Sequence, residues 1–398
     1  MTSMPGKTLR GGLWLLGGLC FAGGLAGLSV SITGPILVDI ARSYHVSEAL
    51  AGQLMTVASL AGVIGTLAVS PLLDHFGRRN GITASLVAMA LACLVCALAP
   101  SFAVLAAGYC VVGLSGYMLF AQVLAAVGDL YRGELVSKAM GWVTFGNVGF
   151  TMVGMPVAGQ LAARLSWPWG FTFLGICALP TAMMAWRLIP AGSKTVRHEG
   201  LSYSTAFARL HRSRTAITML ATLGLTCASY YGFSTYMAVV GKEMLAASTA
   251  AIGTVFSVRY LGAMLLGLSA GLVLRVADWR FTAAAAVVCA VISLAVYLVP
   301  GSVLLMGVDN LIYGFAVGAI DVGVNAMLAE VDAGGRGVVM AMRSAMDSLG
   351  GVVGPALGGL ALALGGLSLA ASLFALLALA AALVLLAGRQ PSPVVICK

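Results

Sequence analysis

Long apolar runs without a charged residue alternate with short polar connections along the chain. Four of these runs cover residues 11–38, 49–73, 139–163 and 215–241. Each run exceeds the roughly 20 residues that an α-helix needs to cross a bilayer. Residues 81–128 are also uncharged but are interrupted at Pro100 and Ser101, which indicates two helices. Because the runs are continuously apolar and do not alternate with polar residues, the pattern predicts helices and not barrel strands.

Applied to the whole chain, the pattern predicts an all-α membrane protein with twelve transmembrane helices, called spans 1 to 12 below. Twelve spans place both ends of the chain on the same side of the membrane. The predicted spans cover residues 11–38, 49–73, 81–99, 102–128, 138–163, 166–189, 215–240, 246–274, 281–299, 302–329, 338–364 and 367–388.

Composition excludes an ordinary soluble protein. Hydrophobic residues make up 60% of the chain and charged residues 9%, against about 25% charged residues in soluble domains. The net charge of +9 follows topology, because 17 of the 22 Lys and Arg residues fall on the cytoplasmic side when both termini are cytoplasmic. A nucleic-acid partner is not expected, since no soluble domain is predicted to gather these cations on one face.

The predicted spans fall into two halves. Residues 190–214 form a polar stretch with five Lys or Arg residues, which we interpret as a cytoplasmic linker. The predicted domains are a six-helix bundle at 1–189 and a second at 215–398. Residues 153–162 align with 352–361 at an offset of 199 residues. Such internal duplication around a midplane cavity is the architecture of secondary transporters and predicts two pseudo-symmetric bundles.

The connection between spans 2 and 3 reads "SPLLDHFGRRN" at residues 70–80. It resembles the signature of the major facilitator superfamily at this place, G-x-L-x-D-R-x-G-R-R-x, and the resemblance extends over nearly the whole chain. Ser70 replaces the first glycine of that signature, and His75 replaces an arginine. The matching residues are Leu72, Asp74, Gly77, Arg78 and Arg79.

In that family the charged connection latches the two halves when the cytoplasmic gate is closed. The resemblance implies that Asp74 faces the N-terminus of span 11, and that Arg78 pairs with Asp129 at the end of span 4. The alternative is a basic loop that serves topology alone. The expected gate residues are Asp74, Gly77, Arg78, Arg79 and Asp129.

Span 5 carries "GFTMVGMPVAGQ", which resembles the glycine–proline pattern of the superfamily's antiporter branch. That branch exports drugs and metabolites, and the pattern implies a flexible helix. Close packing of small residues is the alternative explanation. Many members carry an arginine at the position of Tyr109 in span 4. Because this chain lacks that arginine, the usual proton-coupling arrangement of the first half is not expected to apply unchanged. The expected hinge residues are Gly149, Gly154, Pro156 and Gly159.

Charges at mid-span are confined to the second half of the chain. Ionisable residues inside a bilayer usually mark a pathway or a proton relay. Arg343 and Asp347 are four residues apart, so they share a face of span 11 and can pair. We expect Asp347 to carry a coupled proton, with Asp321 and then Asp309 as alternatives. A structural salt-bridge network in the second bundle is the competing explanation.

Aromatic and polar residues near these charges are candidates for substrate contact. Span 7 reads "SYYGFSTYM", whose last tyrosine, Tyr236, we assign to the membrane interface. The scattered His residues and Cys93-x-x-Cys96 predict neither a metal site nor a cofactor, and we interpret the two cysteines as core residues. The expected substrate-binding residues are Arg259, Arg343, Asn325, Tyr230, Tyr231, Phe233 and Gln122.

Together these patterns predict a secondary active transporter that exports a small, partly apolar drug or metabolite in exchange for protons. The first alternative is uptake or exchange of an organic anion bound by an embedded arginine. A sensor or scaffold that does not transport is a second alternative, and an enzyme is not expected. We further expect a monomer in the bilayer of the inner membrane, crossing it many times, with both termini cytoplasmic.

Overall fold

The computed structural model describes residues 9–65, 77–131, 134–190, 213–269, 279–329 and 336–388. The regular elements in these residues are α-helices, as their apolar composition predicts. In chain order they are α1 (Leu9–Ser31), α2 (Thr33–Ser43), α3 (Glu48–Ile64), α4 (Arg78–Ala97), α5 (Phe102–Leu130), α6 (Glu134–Arg164), α7 (Pro168–Leu188), α8 (Arg214–Glu243), α9 (Thr249–Leu268), α10 (Trp279–Leu298), α11 (Val303–Ala329) and α12 (Arg336–Ala387).

Within the described residues each predicted span corresponds to helix, although two correspondences are not one to one. Span 1 is divided at Ile32 into α1 and α2. Spans 11 and 12 both lie in α12, which is kinked at Gly365 and Gly366. Gly366 has a φ of 65°, a left-handed conformation that glycine adopts without a side-chain clash. The kink therefore supplies the turn that the sequence pattern places between residues 364 and 367.

Serine hydroxyls cap the starts of five of the described helices, at Ser47, Ser101, Ser213, Ser248 and Ser302. The hydroxyls of Ser101, Ser213 and Ser248 accept hydrogen bonds from the backbone N–H groups three residues further on, at the starts of α5, α8 and α9. These caps satisfy N–H groups that have no partner within the helix. The cap at Ser101 also explains the interruption expected between spans 3 and 4.

Within the described ranges, nine helical segments are long and apolar enough to cross a membrane, and α3 is a shorter apolar helix. The prediction of an all-helical membrane protein is thereby confirmed.

The chain forms two compact units. Residues 1–32 and 61–197 belong to the first, and residues 33–60 and 198–398 to the second. In the first unit α1 packs on α6, and α4 packs on α5 and α7. In the second unit α8 and α10 pack on α12, α9 packs on α11, and α2 packs on α8. The division into bundles at the 190–214 linker stays a prediction.

Glycine allows the closest helix contacts of the second unit. A Cβ atom added at Gly314 of α11 would overlap the backbone carbonyl of Arg259 on α9. A Cβ atom added at Gly354 of α12 would likewise overlap the carbonyl of Ala228 on α8. Small residues at such crossings let membrane helices approach closely and gain van der Waals contact. The contact at Gly314 also fixes the backbone from which the Arg259 side chain extends.

Candidate functional site

Helices α11 and α12 bring three polar side chains of the second unit into one network. Arg343 of α12 donates from Nε to Asn325 Oδ1 at 2.7 Å and from Nη2 to Asp321 Oδ1, both acceptors lying on α11. Asn325 Nδ2 in turn donates to Asp321 Oδ2 at 3.2 Å. The guanidinium thus binds two residues one helical turn apart on α11. Of the two ionic side chains, Arg343 is 26% exposed and Asp321 46% exposed, so neither is enclosed by protein.

Asp347 lies one turn further along α12 and contacts neutral donors. Tyr231 Oη of α8 lies 3.3 Å from Oδ2 and 3.4 Å from Oδ1 of Asp347. The Cys227 thiol, also on α8, donates to Asp347 Oδ1 at 3.3 Å. The i, i+4 spacing suggested Arg343 as the partner of Asp347, but Arg343 forms its ion pair with Asp321. A carboxylate held by a phenol and a thiol can gain a proton without breaking an ion pair.

Arg259 of α9 lies among aromatic rings. Its side chain is buried, and Nη1 donates to Ser234 Oγ of α8 at 2.8 Å. The guanidinium carbon lies 5.2 Å from the centre of the Tyr230 ring. That ring meets the Tyr231 ring edge-on, with centroids 5.1 Å apart. Tyr230 therefore connects the surroundings of Arg259 with the hydroxyl donor to Asp347.

Two of the aromatic residues of α8 belong to the packed core. Phe233 is fully buried and stacks on Tyr313 with centroids 4.3 Å apart. Tyr236, which the sequence pattern assigned to the membrane interface, is also fully buried, and its hydroxyl donates to the carbonyl of Pro355 at 2.9 Å. That assignment was wrong because proximity to a helix end does not reveal which neighbouring helix covers the residue.

The third candidate carboxylate is remote from this network. Asp309 lies near the start of α11 and is partly buried. Twelve residues of helix separate it from Asp321, which corresponds to about 18 Å along the axis. The structure thus places Asp321 in contact with Arg343, and Asp347 one helical turn from Arg343 on α12. Asp309 lies about 18 Å from Asp321 along α11.

The first unit contains the expected contact at the start of α4. Arg78 Nε donates to Asp129 Oδ2 at 2.8 Å, so the ion pair implied by the sequence resemblance is present. Gly77, immediately before α4, has a φ of 82°, which glycine tolerates. The Arg79 guanidinium lies 4.0 Å from the centre of the Trp186 ring. Asp74 lies outside the described residues.

Gln122 is buried in the first unit, whereas the expected hinge on α6 is only in part buried: Gly154 and Gly159 are buried, and Gly149 and Pro156 are partly exposed. Gln122 of α5 is buried, and its amide abuts Gly81 of α4. Helix α6 contains Pro156 and continues through it to Arg164. Gly154 packs against Leu28 of α1, where a Cβ atom would lie 2.6 Å from Leu28 Cδ2. The remaining hinge candidates, Gly149 and Gly159, also lie within α6.

Comparison with protein families now identifies the chain's lineage. The sequence model of one protein family, the Major Facilitator Superfamily, matches residues 19–331 of this chain, which include parts of both units. The chain belongs to the Major Facilitator Superfamily. Members of this superfamily are in general membrane transporters and not enzymes.

Curated relatives include proteins named for chloramphenicol efflux and for chloramphenicol resistance. A chloramphenicol efflux pump of Mycobacterium tuberculosis is 27% identical over 213 residues, or 52% of this chain and 50% of that protein. A chloramphenicol resistance protein of Streptomyces lividans is 27% identical over 215 residues, or 54% of this chain and 55% of that protein. The chain thus spans about half the length of these curated relatives.

Solved structures of the superfamily share the fold over most of the chain. The nucleoside transporter NupG matches with a TM-score of 0.76 and 13% identity, covering 96% of this chain and 100% of that chain. A bacterial homologue of the human lysosomal transporter Spinster matches with a TM-score of 0.71 and 14% identity, covering 96% of each chain. At these identities the likeness concerns the fold alone.

One polar cluster of this superfamily member was missed by sequence reasoning. Lys242 Nζ of α8 donates to Asp39 Oδ1 of α2 at 3.0 Å and to Thr249 Oγ1 of α9 at 2.7 Å. The Thr249 hydroxyl donates to Asp39 Oδ2 at 2.5 Å. Asp39 and Lys242 each stood at the end of a predicted span, and nothing in the sequence connects charges 203 residues apart.

Proposed function

We propose that this protein is a secondary active transporter that exports a small, partly apolar drug or metabolite in exchange for protons by alternating access. Its family supports the transport mechanism, since Major Facilitator Superfamily members handle small molecules. The relatives described as chloramphenicol efflux and resistance proteins support the direction and the kind of substrate.

The observation that carries the proposal is the environment of Asp347. This carboxyl group lies within a membrane-length helix and is hydrogen-bonded by Tyr231 and Cys227. Ionisable residues at such depth are functional by default. Because both hydrogen-bonding partners are neutral, the carboxyl group can take up a proton without breaking the ion pair between Arg343 and Asp321. We assign it the coupled proton, with Asp321 as the nearest alternative and Asp309 as the next.

Arg343 is the element that would couple proton and conformation. It binds Asp321 on α11, yet it lies on the same face of α12 as Asp347, one turn away. An arginine next to a carboxylate favours the charged form of that carboxylate. Movement of Arg343 from Asp321 toward Asp347 would therefore release the proton, and its return to Asp321 would allow the next proton to bind.

Substrate contact is proposed for the polar and aromatic groups around this pair. The Tyr230 and Tyr231 rings offer apolar surface, and Asn325 and Arg343 offer hydrogen bonds. Arg259 adds a second cation beside Tyr230. Phe233 and Gln122 are core residues in this conformation, so a role for them requires that the helices around them move.

The gate, hinge and topology follow the family resemblance. The Arg78–Asp129 ion pair, with Gly77, Arg79 and Asp74, is proposed to close the cytoplasmic side, and Pro156 of α6 is proposed to let that helix flex. We propose a monomer in the inner membrane with both termini cytoplasmic, which is the orientation favoured by the distribution of Lys and Arg.

The experiment is transport of chloramphenicol by the purified protein in proteoliposomes, with and without an imposed pH gradient. Wild-type protein should accumulate the drug against its concentration gradient when the pH gradient is present. Asp347→Asn should abolish uphill accumulation and retain downhill exchange.

Glu243→Gln is the matched control, because Glu243 is an exposed carboxylate at the end of α8, and it should behave as wild type. Accumulation by Asp347→Asn equal to wild type would exclude this residue as the proton carrier. Failure of the wild-type protein to accumulate any drug would contradict proton-coupled efflux itself.

A further inference from the structure

Arg259 is a buried cation without a counterion among the residues that the structure describes. Its side chain is 2% exposed. One hydrogen bond joins Nη1 to Ser234 Oγ at 2.8 Å, and that hydroxyl itself donates to the carbonyl of Tyr230 at 2.6 Å. Within the described ranges Nε of Arg259 is buried and has no hydrogen-bond partner. A guanidinium carries five N–H donors, and at least the Nε donor of Arg259 is available to a further acceptor.

The position of Arg259 within the membrane-length helix α9 makes the lack of a described counterion energetically costly. It is the eleventh of the twenty residues of α9, which starts at Thr249, and so lies near the middle of a membrane-length helix. A charge at that depth is costly unless it is paired or serves a function. Arg343, the other mid-span arginine, is held by Asp321 and Asn325. Arg259 thus differs from Arg343 in lacking a carboxylate in the described part of the protein.

The groups around Arg259 define what could supply the missing charge. The guanidinium carbon lies 4.6 Å from the ring centre of Phe256, 5.2 Å from that of Tyr230 and 5.6 Å from that of Tyr260. Ring faces attract a cation and also provide apolar contact surface. One positive charge balances one negative charge, whereas phosphate recognition generally uses several cations or N–H donors. The surroundings therefore suit a monoanion with an aromatic or other apolar body.

Aromatic rings alone are the competing explanation, in which Arg259 is a structural residue stabilised by cation–π contacts. That explanation leaves the buried Nε without a hydrogen-bond acceptor. A carboxylate that approaches the Nε edge would accept from two parallel N–H groups, which is the strongest pairing available to arginine.

We propose that Arg259, with Ser234 and the rings of Tyr230, Phe256 and Tyr260, binds the carboxylate of an apolar monocarboxylate, an aromatic acid being the preferred form. This assignment rests on the proposed transport function and names a substrate class for it. Because Arg259 is enclosed, the acid reaches it when the surrounding rings move during the transport cycle. The close contact between Gly314 and the Arg259 backbone keeps the arginine in place while those rings move.

Binding to the purified full-length protein tests the proposal. The probes are benzoate, 3-phenylpropionate and 2-naphthoate, each compared with its uncharged primary amide, and affinity is read from intrinsic fluorescence or thermal shift. Wild-type protein should bind at least one acid about tenfold or more tightly than its amide, the effect of one charge-assisted contact. Arg259→Met, which keeps an apolar side chain of similar length, should remove that preference. Arg259→Lys should retain part of it.

Arg280→Met is the matched control, since Arg280 is an exposed arginine 5.1 Å from the ring centre of Trp279. It should keep the wild-type preference. Absence of any preference for acids in wild-type protein overturns the proposal, whether or not the variants fold. An undiminished preference in folded Arg259→Met overturns it too.

The same preparations are assayed for uphill chloramphenicol transport in proteoliposomes. Wild-type transport of chloramphenicol without a preference for acids would overturn the anion site and leave drug efflux intact. A preference for acids that depends on Arg259, without uphill transport of chloramphenicol, would support the anion site and contradict proton-coupled efflux of that drug.

Discussion

Replacement of Arg343 by glutamine should destabilise the second unit through loss of the contacts to Asp321 and Asn325. The arginine makes two hydrogen bonds to α11, one of them to a carboxylate. Hydrogen bonds to charged groups contribute about 1.5–3 kcal/mol each when enclosed. Exposed ion pairs contribute about 0.2–1 kcal/mol. Since Arg343 is 26% exposed and Asp321 46% exposed, we expect the loss in unfolding free energy to lie between the value for exposed ion pairs and the value for enclosed hydrogen bonds. That loss is about 1–3 kcal/mol in the free energy of unfolding.

A double-mutant cycle isolates this interaction. The single variants Arg343→Gln and Asp321→Asn each leave a charged or polar partner unmatched, whereas the double variant removes both charges. The double variant should therefore be less unstable than the sum of the single variants by about 1 kcal/mol or more. Stability is measured as the melting temperature of the purified protein in detergent. For domains of 150–250 residues, each kcal/mol corresponds to about 2–4 °C.

The control cycle combines Arg343→Gln with Glu243→Gln, an exposed carboxylate on α8 outside the network. The stability losses of these two single variants should sum to the loss of their double variant to within about 0.5 kcal/mol, as for independent sites. If the losses of Arg343→Gln and Asp321→Asn sum to the loss of their double variant equally closely, the ion pair is not a stabilising contact. That result would also refute the proposed exchange of Arg343 between two carboxylates.

Three further variants test other parts of the structure. Gly314→Val should sharply reduce the yield of folded protein, measured by monodisperse size-exclusion chromatography, because a side chain there overlaps the backbone of α9. Lys242→Met should lower the melting temperature by about 2 °C or more by leaving Asp39 without its cation, and wild-type stability would contradict that contact. Arg78→Ala should lower the melting temperature by about 2 °C or more, because it leaves the largely buried carboxylate of Asp129 without its cation, and it should reduce the turnover of the folded protein severalfold. Wild-type turnover per folded protein would exclude a gating role.

The helices were predictable because a bilayer permits few solutions. Uncharged runs of sufficient length must be helical, and interruptions such as the one at Ser101 coincide with caps in the structure. The kink at Gly365 and Gly366 lies in the gap that the predicted spans leave between residues 364 and 367. The division of span 1 at Ile32 was missed although the sequence carries a signal for it, since Gly34 and Pro35 follow closely and proline interrupts a helix in the turn before it.

The partners of the charged residues were harder to predict. Helical spacing permitted Arg343 to pair with Asp347, but spacing within one helix contains no information about the neighbouring helix that offers Asp321 and Asn325. The contact between Lys242 and Asp39 depends on tertiary packing of α2 against α8 for the same reason. Sequence reasoning selected the charges that fall within predicted spans, and it could not identify which of them contact each other.

Substrate-dependent proton movement tests the central claim most directly. Proteoliposomes that contain the purified protein and an enclosed pH-sensitive dye are mixed with chloramphenicol in the absence of any imposed gradient. The account predicts that the drug changes the internal pH with wild-type protein and with Glu243→Gln, and that Asp347→Asn still exchanges the drug without a change in pH. A drug-dependent pH change in Asp347→Asn as large as that of wild type would contradict the account.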